Sequence, residues 1–281
     1  MQIGELKRIL NNDKYADAIL SAVLDAPRTQ IKATDFISDK DAKICKEISK
    51  DWRKALPIAQ DRGKWRFYDM PFFVSKDVHV PIFFIESLVD ATINHLKDKK
   101  SMLELGTGSG CVAIAIAKHT GAQMTATDVT PEAIKMAELN AKLNNVDIQF
   151  IQSDMFKNIK DRYDAIISNP PCSTTSLVDE LEQAGSLNRP RVSCDGGKDG
   201  LHFYRIIVAN SKDYLKENGV LALMLGYDHI VNNVHDLVIK NASFKTEEIE
   251  LLKDVNDKKR VLLAPTVLGK QNLRTDFKER K

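Results

Sequence analysis

Residues 101–128 read SMLELGTGSGCVAIAIAKHTGAQMTATD, and this stretch decides the fold. An apolar segment leads into the glycine turn GTGSG at 106–110, and the apolar segment CVAIAIAK follows at once. Glycine lets a backbone turn sharply and approach a ligand closely. A strand, a glycine turn and a helix in this order predict a nucleotide-binding unit of a parallel sheet.

The spacing of the glycines indicates which ligand the turn serves. A dinucleotide fingerprint requires glycine at positions 106, 108 and 111 of this chain. Gly106 and Gly108 meet that requirement, but the third glycine is Gly110, and Cys111 occupies the fingerprint position. The spacing therefore disfavours NAD and favours another ligand that carries adenosine.

Strand and helix patterns alternate after the turn. This alternation predicts an α/β fold, a Rossmann-like parallel sheet with helices on both faces. The predicted elements are a helix over 111–118, a strand over 123–128, a helix over 131–143, strands over 148–154 and 163–169, a helix near 200–216 and a strand over 219–225.

The N-terminal part of the chain has helical periodicity and no ligand motif. Apolar residues recur at helical spacing from Ile3 and Leu6 onward, Ser38 or Asp35 is a candidate helix start, and Pro57 is predicted to end the helical block. The aromatic stretch WRFYDMPFFV that follows predicts a β-hairpin.

Three parts are predicted from these patterns. Residues 1–60 form a small helical domain that presents the substrate, residues 61–82 form a linking β-hairpin, and residues 83–281 form the nucleotide-binding domain.

The composition argues against several functions. With 41 basic and 39 acidic residues the net charge is +2, which gives no general attraction to nucleic acid or to an anionic membrane. Four cysteines form no CxxC pair and no metal-ligand spacing, which is typical of a reduced compartment and predicts no metal site. The chain shows neither signal-peptide features nor the roughly 18 apolar residues of a membrane span. We therefore expect a cytoplasmic protein that binds neither membranes nor nucleic acid directly.

Two carboxylates follow successive predicted strands. Asp128 ends a strand 22 positions after Gly106, where a carboxylate can accept hydrogen bonds from both hydroxyls of a ribose. Thr130 and Pro131 after it look like an N-cap and a first helical residue. Asp154 has the same placement and is a candidate partner of an adenine amino group. Either carboxylate alone would suggest a solvated loop or a helix cap, but with the glycine turn they favour a ligand.

The strand at 163–169 ends in Asn169-Pro170-Pro171-Cys172. Two prolines after a strand give a rigid, extended peptide without ladder donors, which can hold Asn169 at a fixed angle above the crevice. Taken alone, the motif would suggest only a turn that ends a strand. After the preceding motifs, we interpret Asn169, Pro170, Pro171 and Cys172 as the catalytic peptide.

The order ELGTGSG, TDVTPEA, IQSDMF and SNPP resembles class I methyltransferases that modify amide or amine nitrogens. Nearly the whole chain, including Glu86 and the stretch at 189–205, is similar to the HemK/PrmC family, which N5-methylates the glutamine of the GGQ motif in translation release factors. The resemblance implies S-adenosylmethionine as the cofactor and a release factor as the partner. The expected cofactor-binding residues are Glu104, Gly106, Thr107, Gly108, Gly110, Asp128, Val129, Asp154, Met155 and Asn169.

The resemblance also implies how the acceptor is held. One amide proton of the glutamine would lie on the Asn169 side-chain oxygen and the other on the Pro170 carbonyl. The nitrogen would then be aimed at the sulfonium methyl, so that most of the rate gain comes from positioning.

The chain departs from the family pattern on the acceptor side. Cys172 stands where the family has tyrosine, Ile82 and Ile85 replace arginine and threonine, and Met224 and His229 replace glutamate and glutamine. All of these positions are expected to border the acceptor site or its entrance, which would make the substrate pocket less polar. A free cysteine usually behaves as a small apolar residue, so a structural role for Cys172 is favoured over a nucleophilic one.

Several acceptors therefore stay open. The leading hypothesis is N5-methylation of a release-factor glutamine, and methylation of another nitrogen in a protein or in a small-molecule acceptor is an alternative. A different class of enzyme would cyclise S-adenosylmethionine itself to azetidine-2-carboxylic acid and release methylthioadenosine. A non-catalytic binding module is disfavoured because Asn169 and both prolines remain.

Overall fold

The computed structural model describes residues 1–10 and 15–267. The N-terminal elements are α1 (Ile3–Ile9), α2 (Ala16–Leu24), α3 (Asp39–Lys50), α4 (Ala55–Arg62), β1 (Lys64–Phe67) and β2 (Met70–Phe73). They are followed by α5 (Glu86–Leu96), β3 (Ser101–Leu105), α6 (Cys111–Thr120), β4 (Gln123–Asp128), α7 (Pro131–Asn144), β5 (Gln149–Gln152), β6 (Tyr163–Ser168), α8 (Thr175–Gln183), α9 (His202–Tyr214), β7 (Leu215–Met224), α10 (Asp228–Ile239), β8 (Glu250–Lys253) and β9 (Lys259–Pro265).

The described chain builds a seven-stranded sheet in the order β5-β4-β3-β6-β7-β9-β8. Strands β3 to β7 pair in parallel, whereas β9 pairs antiparallel with both β7 and β8. The strand order reverses at β3, because β4 lies on one side of it and β6 on the other. Ligands of open α/β sheets bind at such a reversal, beyond the carboxyl ends of the strands. The Rossmann-like expectation is confirmed.

Helices cover both faces of this sheet, as a buried parallel sheet requires. Alternate strand residues enter two separate cores, since successive side chains of a strand point to opposite faces. Met102 and Ile167 pack in the core that includes α5 and α6, whereas Leu103 and Ile166 pack in the core that includes α9 and α10.

The N-terminal helices share a third apolar core, which includes Leu6, Ile19 and Ile48. Of the two predicted helix starts, Ser38 is the one that caps α3, because its hydroxyl accepts the N–H of Asp41 at 3.0 Å.

The prediction that Pro57 ends the helical block is wrong. Pro57 lies in the first turn of α4, where its missing N–H would have had no partner inside the helix. The helix ends instead at Gly63, whose φ of +66° is the left-handed conformation that glycine adopts readily at a helix end.

The predicted hairpin is present, with β1 and β2 antiparallel and Phe67 opposite Met70. The boundaries at 1–60, 61–82 and 83–281 stay predictions, and 268–281 lies outside the described residues. In the described part of the chain, no helix is both long and apolar enough to cross a membrane.

Asn140 on α7 connects this hairpin to the glycine turn. Its side chain is fully buried and accepts the Phe73 N–H at 2.7 Å. The same amide donates to the carbonyls of Phe73 at 3.0 Å and Ser109 at 2.9 Å. One side chain therefore holds β2 against the loop that begins α6.

Replacing Asn140 by alanine should destabilise the fold by about 2–4 kcal/mol, because the fully buried side chain is lost and three backbone groups lose their partner. Urea unfolding measures this loss of free energy. Asn233→Ala is the matched control, since Asn233 is exposed on α10 and bonds only the His229 carbonyl one turn before it. Equal stability of the two variants would contradict the role given to Asn140.

Candidate functional site

A cavity of about 810 Å³ lies at the carboxyl ends of the central strands, between the sheet and the N-terminal helices. It brings together nearly all of the predicted site residues. Those that line it are Glu104, Gly106, Thr107, Gly108, Asp128, Val129, Asp154, Met155, Asn169, Pro170, Pro171 and Cys172.

The glycine turn forms one wall of this cavity. Gly106 and Gly108 have φ values of +73° and +55°, and a Cβ added at either would meet no atom within 4 Å. The backbone there faces open space in which a ligand can lie against it.

Gly110 has a different environment and does not line the cavity. A Cβ at Gly110 would come to 3.0 Å from both Ala137 and Ile114, so its lack of a side chain lets α6 pack against α7. Its predicted contact with the cofactor stays a prediction.

Glu104 is buried at the end of β3, where it is 2% exposed. The Thr107 hydroxyl donates to its carboxylate at 2.6 Å, and the Ala113 N–H donates at 3.1 Å. Burial raises the pKa of Glu104 to about 8, although these two hydrogen bonds act in the opposite direction. A cation bound nearby would stabilise the ionised carboxylate.

Asp128 joins the glycine turn to the next helix. Its Oδ2 accepts the Gly108 N–H at 2.9 Å, and its Oδ1 accepts both the N–H and the hydroxyl of Thr130 at 3.1 Å. Thr130 is the N-cap of α7, and Pro131 is its first residue, as predicted. A carboxylate has about four acceptor positions, so Asp128 can still accept from a ribose hydroxyl.

Asp154 lies in a turn after β5, because that strand ends at Gln152 rather than at 154. Its side chain is half exposed and pairs with Lys157 at 2.6 Å. Met155 beside it has a φ of +49°, which is unusual for a residue with a side chain. The Ser153 hydroxyl donates to the Met155 carbonyl at 2.8 Å and helps to hold this strained turn at the cavity wall.

The peptide from Asn169 to Cys172 follows β6 on the opposite side of the strand reversal. Asn169 is partly buried, and its side chain has no hydrogen-bond partner within residues 1–10 and 15–267. Its amide is therefore available to a ligand in the cavity.

Three glycines enclose the end of this peptide. A Cβ at Gly226 would lie 2.5 Å from the Cys172 sulfur, and one at Gly196 would lie 2.7 Å from the Cys172 Cα. A Cβ at Gly200 would overlap the Cys172 carbonyl. These contacts were not predicted, although the GGKDG sequence at 196–200 was a signal of close backbone packing.

The environment of Cys172 favours the structural role. Burial raises the pKa of its thiol to about 11, and a hydrogen bond with Tyr204 opposes that shift only in part. The thiol is therefore protonated at neutral pH and is a poor nucleophile.

The acceptor side of the cavity is lined by aromatic residues that sequence reasoning missed. The ring of Phe84 lies 5.5 Å from that of Trp52 and 6.3 Å from that of Phe83, and Phe83 lies 4.8 Å from Tyr15. All four side chains line the cavity. The adjacent Phe83-Phe84 pair was a signal, but its partners come from distant parts of the chain.

The expectation that Ile82 and Met224 border the acceptor site is corrected, and the expectation that His229 borders its entrance stays a prediction. Ile82 and Met224 are fully buried in apolar cores and do not line the cavity, and His229 lies outside it. Ile85 and Cys172 do line it. Ile82 packs among the N-terminal helices and Met224 points into a face of the sheet, so these two substitutions alter packing.

Comparisons with known proteins agree on methyl transfer. The family model described as "Methyltransferase small domain" matches residues 85–183. The chain is 31% identical over 265 residues to a release factor glutamine methyltransferase of Agrobacterium fabrum, covering 88% of this chain and 90% of the relative. It is 30% identical to one of Aquifex aeolicus, covering 94% and 95%.

Among solved structures, a methyltransferase from Pyrococcus furiosus is similar in fold. Its TM-score is 0.55 at 19% sequence identity, and the match covers 78% of this chain and 98% of the other.

Asp128→Ala should weaken binding of S-adenosylmethionine by at least about 1.5 kcal/mol, because a charged acceptor and a support of the turn are lost together. Titration calorimetry measures the affinity. Asp161→Ala removes an exposed carboxylate and serves as the control. Unchanged affinity of the Asp128 variant would exclude Asp128 from the cofactor site.

Proposed function

Because this chain belongs to the HemK/PrmC family of S-adenosylmethionine-dependent methyltransferases, we propose that it N5-methylates a glutamine side chain of a translation release factor. The observation that carries the proposal is the free side-chain amide of Asn169, which lines the same cavity as the glycine turn. The names of the relatives from Agrobacterium fabrum and Aquifex aeolicus support the choice of acceptor.

The residues of the cavity fit S-adenosylmethionine. The open backbone at Gly106 and Gly108 would lie under its methionine end, and Asp128 would accept from its ribose. The adenine would lie among three cavity-lining residues that follow neighbouring strands, namely Val129, Asp154 and Met155. When bound, the cofactor supplies a methyl group on a sulfonium. Buried Glu104 adds negative charge near that cation once it is ionised.

Asn169 and Pro170 would orient the acceptor. The Asn169 side-chain oxygen would accept a hydrogen bond from one N–H of the glutamine amide, and the Pro170 carbonyl would accept one from the other N–H. The proline ring fixes φ, so this acceptor pair is rigid before the substrate arrives. Positioning of this kind can supply roughly 7–11 kcal/mol, so that no strong base is required. The amide nitrogen gains the methyl group and releases a proton to water.

The N-terminal helices would present the protein substrate. The same cavity as the glycine turn is lined by Ile9 of α1, Ile48 of α3 and Trp52, which lies between α3 and α4. A protein loop that enters between the helices and the sheet would therefore contact both. The proposal for residues 1–60 rests on this arrangement.

Asn169→Ala should reduce glutamine methylation at least about 100-fold, because the nitrogen is no longer oriented, while cofactor affinity falls no more than about tenfold. Mass spectrometry of a bacterial release factor after incubation with S-adenosylmethionine measures the rate, and calorimetry measures the affinity. The control is Asn210→Ala, on the exposed face of α9. A wild-type chain that leaves the release factor unmodified would refute the proposed acceptor.

A second candidate function has S-adenosylmethionine itself as the substrate, converted to azetidine-2-carboxylic acid and methylthioadenosine. In that reaction the amino nitrogen bonds to the γ-carbon, the carbon–sulfur bond breaks, and a proton passes to water. The aromatic residues Trp52, Phe83 and Phe84 favour this candidate, because they line the acceptor side with largely apolar surface. A different nitrogen acceptor, in a protein or a small molecule, would occupy the same part of the cavity, beside Trp52, Phe83 and Phe84.

Cys172→Tyr separates the two candidates. The Cys172 sulfur contacts Gly226, so a tyrosine ring must turn into the cavity. A glutamine methyltransferase should keep its rate or gain up to about tenfold, because aromatic packing contributes about 0.5–1.5 kcal/mol. Rate and cofactor affinity are measured together, with Cys172→Ser as the control for loss of the thiol. Lost turnover with retained affinity would favour cyclisation, as would methylthioadenosine formed by the wild-type protein alone.

A further inference from the structure

Arg189 is a positively charged residue that lines the cavity near Trp52. Its guanidinium lies over the ring of Trp52, 5.3 Å from the ring centroid, and both residues line the cavity. Within residues 1–10 and 15–267, no carboxylate lies at ion-pair distance from it. Its polar partner is the thiol of Cys194, which is a weak one.

Neighbouring arginines are paired with acids. Arg191, two positions later, has ion pairs with Asp179, Glu182 and Asp195 at 2.7 to 2.9 Å. Arg260, which also lines the cavity, pairs with Asp228 at 3.0 Å and with Asp254 at 3.6 Å. Acidic residues are therefore present around the cavity, yet none of the described ones pairs with Arg189.

Arg189 also lies close to the catalytic peptide. The backbone carbonyl of its thiol partner Cys194 accepts the N–H of Ser173, the residue after Cys172, at 2.9 Å. Burial raises the pKa of the Cys194 thiol, and the charge of Arg189 acts in the opposite direction. A group bound by Arg189 would thus lie near the acceptor nitrogen held by Asn169 and Pro170.

His79 provides a second unsatisfied polar group in the same cavity. Its Nδ1 is shielded from solvent and has no hydrogen-bond partner among the described residues. Burial lowers the pKa of His79 to about 3, and the charge of Arg189 acts in the same direction. The imidazole is therefore neutral, and a neutral imidazole can donate one hydrogen bond. Buried polar atoms normally have a partner, so an orphan in a cavity points to a ligand.

We propose that Arg189, assisted by His79, binds a carboxylate of the acceptor substrate. The inference rests on the proposed function, because it describes the acceptor of that same site. A guanidinium has five N–H donors, and the thiol of Cys194 is its one weak hydrogen-bond partner among the described residues, so donors are left that match a carboxylate with two parallel hydrogen bonds. The carboxylate also offsets the repulsion between Arg189 and a cationic cofactor in one cavity. It comes either from an acidic side chain next to the acceptor glutamine or from the α-carboxylate of a small acceptor.

Calorimetry on the full-length chain loaded with S-adenosylhomocysteine tests the proposal. One set of probes is capped peptides in which the residue before or after Gly-Gly-Gln is Glu, Gln or Lys. The second set is N-acetylglutamine and its α-amide, which differ only in the α-carboxylate. In one of these two sets, the probe with the carboxylate should bind at least about tenfold more tightly than its neutral match.

Variants of Arg189 identify the group responsible. Arg189→Gln should remove the preference for the carboxylate, and Arg189→Glu should transfer it to the Lys peptide. Arg53→Gln is the control, since Arg53 is adjacent to Trp52 in sequence, exposed, paired with Asp51 and absent from the cavity lining. His79→Phe should lower the preference by less than the Arg189 variants do. Retained S-adenosylmethionine affinity in each variant shows that the fold is intact.

The outcomes are distinguishable from those of the proposed function. No preference in the wild-type chain, or a preference that survives Arg189→Gln, overturns the carboxylate site even if glutamine is methylated. Loss of S-adenosylmethionine affinity in Arg189→Gln also overturns it, because Arg189 would then hold the cofactor. If mass spectrometry finds no methylation of any probe while the preference depends on Arg189, the carboxylate site stands and the proposed function fails.

Discussion

The backbone N–H of Gly108 donates to the carboxylate of Asp128 at 2.9 Å, and the rest of the site depends on this contact. The next turn residue toward β3, Thr107, donates its N–H to the Thr127 carbonyl at 2.8 Å. The two bonds join the ends of β3 and β4 through the glycine turn. The turn therefore keeps an open backbone toward the cavity, while the same carboxylate also holds Thr130 at the start of α7.

Because Glu104 is buried, the stability of the fold depends on pH. Its pKa in the folded chain is about 8, above the ordinary value for a glutamate. Ionisation therefore opposes folding, and the stability contributed below the ordinary pKa of 4.5 is lost progressively as the pH rises from there to about 8. A bound cation stabilises the ionised form and offsets that loss. Glu104 therefore destabilises the fold at alkaline pH when no cation is bound, and its ionised carboxylate favours binding of a sulfonium.

The part of the cavity near Trp52 differs from the glycine turn in its composition. Its wall is aromatic, from Trp52, Phe83 and Phe84. It also contains Arg189, which has no carboxylate partner among the described residues, and His79, whose Nδ1 has no hydrogen bond there. An apolar wall strengthens the interaction of a cation with an anionic ligand, because it excludes water. The part of the cavity at the glycine turn supplies the carboxylates of Glu104 and Asp128 and open backbone, whereas the part at Trp52 supplies Arg189 and aromatic rings.

Local patterns in the sequence determined the strand, turn and helix at 101–120 and the Asn-Pro-Pro peptide that follows β6, because each depends on neighbouring residues. The alternation of elements also determined the parallel sheet. Pro57 was misplaced because proline is compatible with both the first turn of a helix and its end. The stacking of Arg189 on Trp52 was decided by the tertiary structure alone. These residues are far apart in the chain, and only the packing of the N-terminal helices against the sheet brings them to one cavity.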